Sequence, residues 1–171
     1  MVIAVVVILS AVIVAVDQII KYLIYENLRP IDRATVIDGI FSLVYSENRG
    51  AAFGIFQNGT MVFTVITIVL IGVFMYLLIA KKFQGKLFIA AVILIIGGGV
   101  GNLIDRMCRG FVIDYLSLSF FPPICNFADY CITIGAFLFM LCILFMPDKQ
   151  KKDEGTESQN LTDGEKSNDA L

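Results

Sequence analysis

An all-α membrane protein of four transmembrane helices, with a small extracytoplasmic β-hairpin or sheet between the first and second, is the fold class this sequence predicts. Three observations lead there. Of the 171 residues, 58% are apolar and 16% charged, with a mean hydropathy of +0.84, whereas an ordinary globular chain is about 45–50% apolar and about 25% charged. Four segments approach the ~20 mainly apolar residues that a helix needs to cross a bilayer. The connection after the first of them holds two β-prone runs flanking Asp38-Gly39, a strong hairpin signal. A water-soluble single-core domain is excluded.

The first span, about residues 2–24, is interrupted by Asp17 and Lys21. It lacks the basic leading segment of a signal peptide and its apolar run is long, so it is expected to be retained. Residues 25–59 form the outer insertion, with Thr35–Ile37 and Ile40–Tyr45 as the paired runs and Gly50, Gly54 and Asn58-Gly59 marking turns on the way back. Spans two to four occupy about residues 60–80, 87–103 and 130–146 and complete a membrane domain of residues 1–146. Gly97 and Gly101 stand in a GxxxG pattern, which suits close helix packing within the molecule. No Gly-Lys-Ser/Thr follows the glycines, so a phosphate loop is not supported. Residues 147–171 carry four of the 13 Lys/Arg and seven of the 15 Asp/Glu, without an aromatic, and are expected to be a disordered acidic tail.

Lys81, Lys82 and Lys86 join spans two and three, and Lys149, Lys151 and Lys152 follow span four; both termini are therefore expected in the cytoplasm. Arg29, Arg33, Arg49, Arg106 and Arg109 then lie on the outer side against that rule, which points to local tasks for some of them.

The chain has no histidine, so Ser-His-Asp and Cys-His hydrolases are excluded and a zinc enzyme is disfavoured. The four cysteines show no CxxC spacing and read as structural, with a Cys125–Cys131 disulfide left open. No basic surface suggests a nucleic-acid partner.

The carboxylates are where chemistry can reside. An ion within a membrane costs about 2.5–3.5 kcal/mol even on a lenient scale, so an ionisable residue there is a functional candidate. Asp17 falls inside span one, Asp105 and Asp114 follow span three, and Asp129 opens span four. From Lys86 at the inner interface to Asp105 a helix climbs about 28 Å, close to the hydrocarbon thickness. Asp105, Asp114 and Asp129 should then gather at the outer interface, where Asp17 can face them. Taken singly, each has a structural reading: Asp105-Arg106 as an interfacial pair, Asp129 as a helix cap, and Asp17 with Lys21 as an i,i+4 pair. Taken together they admit another. Two carboxyls in one low-dielectric site cannot both ionise, so one keeps a proton while the other activates water. Asp114 and Asp129 are the expected pair: both have apolar neighbours, no basic residue lies within four positions, and Pro122-Pro123 lets the chain turn back so that the two meet across facing helices.

Five blocks, DQIIK at Asp17–Lys21, NRGAAFG at Asn48–Gly54, GNLIDR at Gly101–Arg106, FVIDY at Phe111–Tyr115 and NFAD at Asn126–Asp129, resemble in that order the lipoprotein signal peptidases, or signal peptidase II. The resemblance implies a bacterial membrane aspartyl endopeptidase that removes prolipoprotein signal peptides just before a diacylglyceryl-modified cysteine. It makes Asp114 and Asp129 the catalytic dyad, with Asp17, Lys21, Asn48, Gly50, Asn102, Asp105, Arg106, Asn126 and Ala128 in the surrounding shell. Asn48 and Arg106 would contact substrate backbone or lipid headgroup; Asn102, Asp105 and Asn126 would orient the dyad. Partners would be the lipid-modified prolipoprotein and membrane lipids, with no nucleic acid, no metal and no cofactor. The enzyme would act as a monomer in the cytoplasmic membrane, its site near the outer leaflet. Tyr130, Cys125 and the long tail depart from the usual family pattern without touching either carboxyl. Two other classes remain: a proton- or cation-coupled transporter, disfavoured by carboxylates gathered at one interface and the lack of repeated halves, and a non-enzymatic assembly subunit using the glycine-rich span.

Overall fold

In a computed structural model, residues 2–50, 59–83 and 85–145 are described. Gly54, Asn58 and the acidic tail therefore lie outside the described residues. Among the described residues, four helices are each long and apolar enough to cross a membrane: α1 (Val2–Asn27), α2 (Gly59–Ile79), α3 (Lys86–Arg109) and α4 (Phe127–Leu144). Four strands, β1 (Arg33–Ile37), β2 (Phe41–Asn48), β3 (Val112–Leu118) and β4 (Phe121–Cys125), form one antiparallel sheet in the order β1-β2-β3-β4. Residues 1–140 make one compact unit, and every contact described below lies within it. Residues 141–144 complete α4.

The expected class is borne out, and the sheet is larger than expected. Its first hairpin follows α1, turning at Asp38-Gly39 with Gly39 at φ 70° as that turn requires. Its second lies between α3 and α4 and pairs back onto the first, with Ser46 of β2 opposite Asp114 of β3. Pro122 and Pro123, read from sequence as a helix break, stand on the edge strand β4 within its register shift, where neither occupies a paired position of the ladder.

α3 is the central helix. In its apolar window 61% of residues are buried, against 11–17% for the other three, whose outward faces are the Val, Ile, Leu and Phe side chains expected against lipid. The glycine run explains how three neighbours fit. An added Cβ on Gly97 would meet Ile13 of α1 at 2.7 Å, on Gly98 the Ala128 carbonyl of α4 at 2.4 Å, and on Gly99 Ile71 of α2 at 3.4 Å. The glycines serve packing within the molecule, as expected.

Helix α3 outruns its predicted end by six residues, so Asp105 and Arg106 lie on its final turns rather than after it. It stops at Gly110, whose left-handed conformation (φ 79°) returns its N–H to the Arg106 carbonyl. β3 then begins at once, with period-two alternation. Ile113 and Tyr115 point into a cluster with Leu28, against which Ile20, Ile24 and Leu43 pack. Asp114 points to the other face and is also buried.

Candidate active site

Asp114 sits on a strand and Asp129 on the first turn of a helix, which corrects the expectation that they meet across facing helices. What brings them together is Asn126. Its side-chain Nδ2 donates to Asp114 Oδ1 at 2.6 Å, and its backbone N–H donates to Asp129 Oδ2 at 3.1 Å. In return Asn126 Oδ1 accepts the Asp129 N–H at 2.9 Å. That reciprocal pairing across three positions is a capping box built from Asn and Asp. The NFAD block thus terminates α4 and aims a carboxylate with the same atoms, while the positive end of the helix dipole faces that carboxylate. The Tyr115 hydroxyl accepts the Phe127 N–H at 3.2 Å, satisfying another free donor of the first turn.

Each carboxylate has a second donor. Asn48 Nδ2 donates to Asp114 Oδ2 at 2.9 Å, and Asn102 Nδ2 donates to Asp129 Oδ1 at 2.8 Å. Asn48 is itself oriented by the Gly50 N–H, which donates to its Oδ1 at 2.9 Å. Gly50 has φ 77° and lies so close to Gly59 that an added Cβ would stand 2.4 Å from the Gly59 carbonyl carbon. The bulge of β2 between Leu43 and Ser46 falls beside Asp114, a common placement next to functional side chains.

Burial, and then the nearby Asp129 carboxylate, push the Asp114 carboxyl up to about 6 against the pull of its Asn48 and Asn126 donors. The folded chain therefore holds this proton more tightly than the unfolded chain does. The stability so gained is complete below the ordinary carboxylate value and is lost as pH rises through about 6. If the pair works with one proton between them, kcat/KM should fall about tenfold per pH unit above that point. A pH–rate profile with substrate well below KM checks this, and a flat profile from pH 5 to 9 contradicts it.

Behind the dyad lies a buried charge cluster. Lys21 Nζ is 2.9 Å from Asp17 Oδ2 and 2.8 Å from Asp105 Oδ2, with all three side chains fully buried. Asp105 also pairs with Arg109 rather than with its neighbour Arg106, and accepts the Ile113 N–H at 3.4 Å. Gln18 Nε2 reaches Asp17, Asp105 and the Gly101 carbonyl at 3.1–3.3 Å. Asp17 leaves no room for a side chain on Gly101, whose added Cβ would stand 2.6 Å from Asp17 Oδ2.

Arg106 is half-buried, with its guanidinium 5.6 Å from the Phe63 ring centroid. Together with Asn48, Arg49, Phe63, Pro123 and Asp114 it lines a cleft of about 670 Å³. Ala128 is fully buried against Gly98. Every shell residue named from sequence is therefore in or beside this assembly, with Asp17 and Asp105 reaching it through Lys21. Gln18, Arg109 and Tyr115 were missed. The i,i+4 spacing of Asp105 and Arg109 signalled the second of these; the other two lie inside the DQIIK and FVIDY blocks without having been singled out there. Among the described residues no three acidic or cysteine side chains gather to hold a metal ion. All four cysteines are free thiols, so the Cys125–Cys131 disulfide is absent.

The family described as Signal peptidase (SPase) II matches residues 9–145. A lipoprotein signal peptidase of Caldanaerobacter subterraneus is 41% identical over 139 residues, covering 81% of this chain and 95% of that one. Another, from Shouchella clausii, is 37% identical over 145 residues, covering 85% and 96%. Two solved structures described as bacterial membrane enzymes, determined in meso at 2.3 and 1.9 Å resolution, superpose with TM-scores of 0.73 and 0.75 at 30% and 29% identity. They cover 82% and 84% of this chain, and 88% and 95% of their own. Of the three classes left open by the sequence, the relatives favour the peptidase. With four spanning helices and a match across nearly all of the described residues, the chain belongs to the signal peptidase II family of aspartic-type membrane peptidases.

Proposed function

We propose that this enzyme cleaves the signal peptide from diacylglyceryl-modified prolipoproteins just before the lipidated cysteine, with Asp114 and Asp129 as the catalytic residues. The observation that carries the assignment is the shared hold of Asn126 on both carboxylates, which keeps two acids together beside a cleft. One carboxylate takes a proton from the attacking water. The protonated partner stabilises the oxyanion and then supplies the leaving amine with a proton.

The cleft opens where Arg106 and Asn48 can bond the peptide carbonyls flanking the scissile bond, while the acyl chains remain in the bilayer. Lys81, Lys82 and Lys86 cluster around the α2–α3 connection, at the end of α3 opposite Asp105. That supports cytoplasmic termini and a dyad at the outer leaflet.

The test is cleavage by the purified full-length chain in detergent of one prolipoprotein supplied with and without its diacylglyceryl group. Release of a product beginning at the lipidated cysteine, with kcat/KM at least ~10²-fold above the unmodified substrate, is expected if burial of the acyl chains positions the bond. Equal cleavage of both would remove the lipid from the recognition.

A further inference from the structure

We propose that Lys21 is a positioning residue that sets the direction of every side-chain amide between the buried charge cluster and the Asp114–Asp129 pair. The argument starts from what an ammonium can do. It has three donors and no acceptor, and Lys21 spends all three, on Asp17 Oδ2, Asp105 Oδ2 and Asn102 Oδ1, the last at 2.8 Å. An asparagine amide can otherwise turn over and exchange its oxygen for its nitrogen at little cost. Beside a donor-only neighbour it cannot. The oxygen of Asn102 must face Lys21, so its NH2 must face Asp129, as is seen.

Direction then passes onward. With the Asn102 oxygen fixed, Asn126 can meet it only with its own nitrogen, at 3.2 Å. That nitrogen also donates to Asp114, and the Asn126 oxygen turns to the Asp129 N–H. A single cation on α1 thus fixes the direction of two of the four donors at the dyad, the side-chain NH2 groups of Asn102 and Asn126, while the third, the Asn126 backbone N–H, is a donor in any case. The fourth, Asn48, takes its direction independently from the Gly50 N–H. Lys21 also holds Asp105, whose Oδ2 accepts the N–H of Ile113, the residue before Asp114.

Stability alone does not account for the cluster. A buried ion pair is weak evidence for stabilisation, since desolvation offsets the attraction. Asp17 Oδ1, moreover, is buried without a hydrogen-bond partner among the described residues.

The inference rests on the proposed catalytic role of the dyad, and its test separates the two. Wild type, Asp17→Asn/Lys21→Met, Asn102→Ala and the triple variant are compared as full-length protein for kcat, KM and thermal unfolding. The first combination removes one negative and one positive charge together, so the remaining Asp105–Arg109 pair stays balanced. It should lower kcat by about 10–100-fold, the scale on which misplacement acts, with KM within about twofold. Adding it to Asn102→Ala should lower kcat no further, because the path is already cut. Wild-type kcat in the first combination, or losses that multiply in the triple variant, would overturn the proposal. Should the first combination fail to accumulate, Lys21→Arg keeps the charge but offers a planar fork in place of a three-way ammonium; reduced kcat at a near-native melting temperature supports the proposal, and unchanged kcat overturns it. If the dyad reading itself is wrong, Asp114→Asn and Asp129→Asn retain activity whatever the Lys21 variants do.

Discussion

Asp114→Asn and Asp129→Asn should each reduce cleavage by about 10³-fold or more, with the chain still folded. The expected size follows from the loss of general acid–base catalysis, worth roughly 10²–10⁴ in rate, since a single carboxyl cannot both give and take the proton. The folded state will register the change as well. Both oxygens of Asp114 accept from side-chain NH2 groups, so an asparagine there must set its own NH2 against that of Asn48 or Asn126. Asp129 is in the same position between the Asn102 side chain and the Asn126 N–H. A buried donor facing a donor costs about 1–3 kcal/mol, so a lowered melting temperature should accompany the lost rate. Single-turnover cleavage alongside thermal unfolding distinguishes the two effects. Processing at the wild-type rate by either variant would remove that residue from the mechanism.

Within the glycine run of α3, Gly98→Ala should be the most damaging substitution that adds one methyl group. The new Cβ would stand 2.4 Å from the Ala128 carbonyl and 2.9 Å from Ile132 Cγ1, and backbone cannot swing away as a side-chain tip can. α3 and the first turn of α4 must therefore separate. That seam is where Asn102 of α3 reaches Asp129 of α4 at 2.8 Å. Overpacking of this kind costs about 1–3 kcal/mol, and a shift of about 1 Å at the reacting groups costs ~10²-fold in rate. Gly72→Ala on α2 is the control, because nothing lies within 4 Å of its added Cβ and alanine is the better helix former; its melting temperature should hold or rise. A Gly98→Ala enzyme with native melting temperature and kcat would show that the seam is looser than its backbone contacts indicate.

The four spans and the Asp38-Gly39 hairpin were legible because each is announced locally, by apolar length and by turn chemistry. β4 was not. Its pairing skips residues, Leu116 lying opposite Cys125 and Leu118 opposite Phe121, and its two prolines look like a break unless the edge position is known. Hydropathy also says little about which side of a membrane helix faces protein, since lipid and core both favour the same residues. The glycine run filled part of that gap, small residues being a packing signal in lipid. The site's residue types and blocks were readable, but its wiring was not. Lys21 and Asn102 lie 81 positions apart, and only the packing of α1 on α3 brings them into contact.

The charge cluster has a consequence for how the chain enters lipid. Asp17 and Lys21 are four residues apart on α1, and Asp105 and Arg109 four apart on α3, so each pair is self-compensating on its own span. Helix α1 thus enters the bilayer with its two charges already matched, whereas α3 keeps Arg106 as one cation beyond its own pair. Asp105 gains Lys21 as a second cation only when α1 packs on α3, so the joining of these two spans completes the charge cluster that backs the dyad.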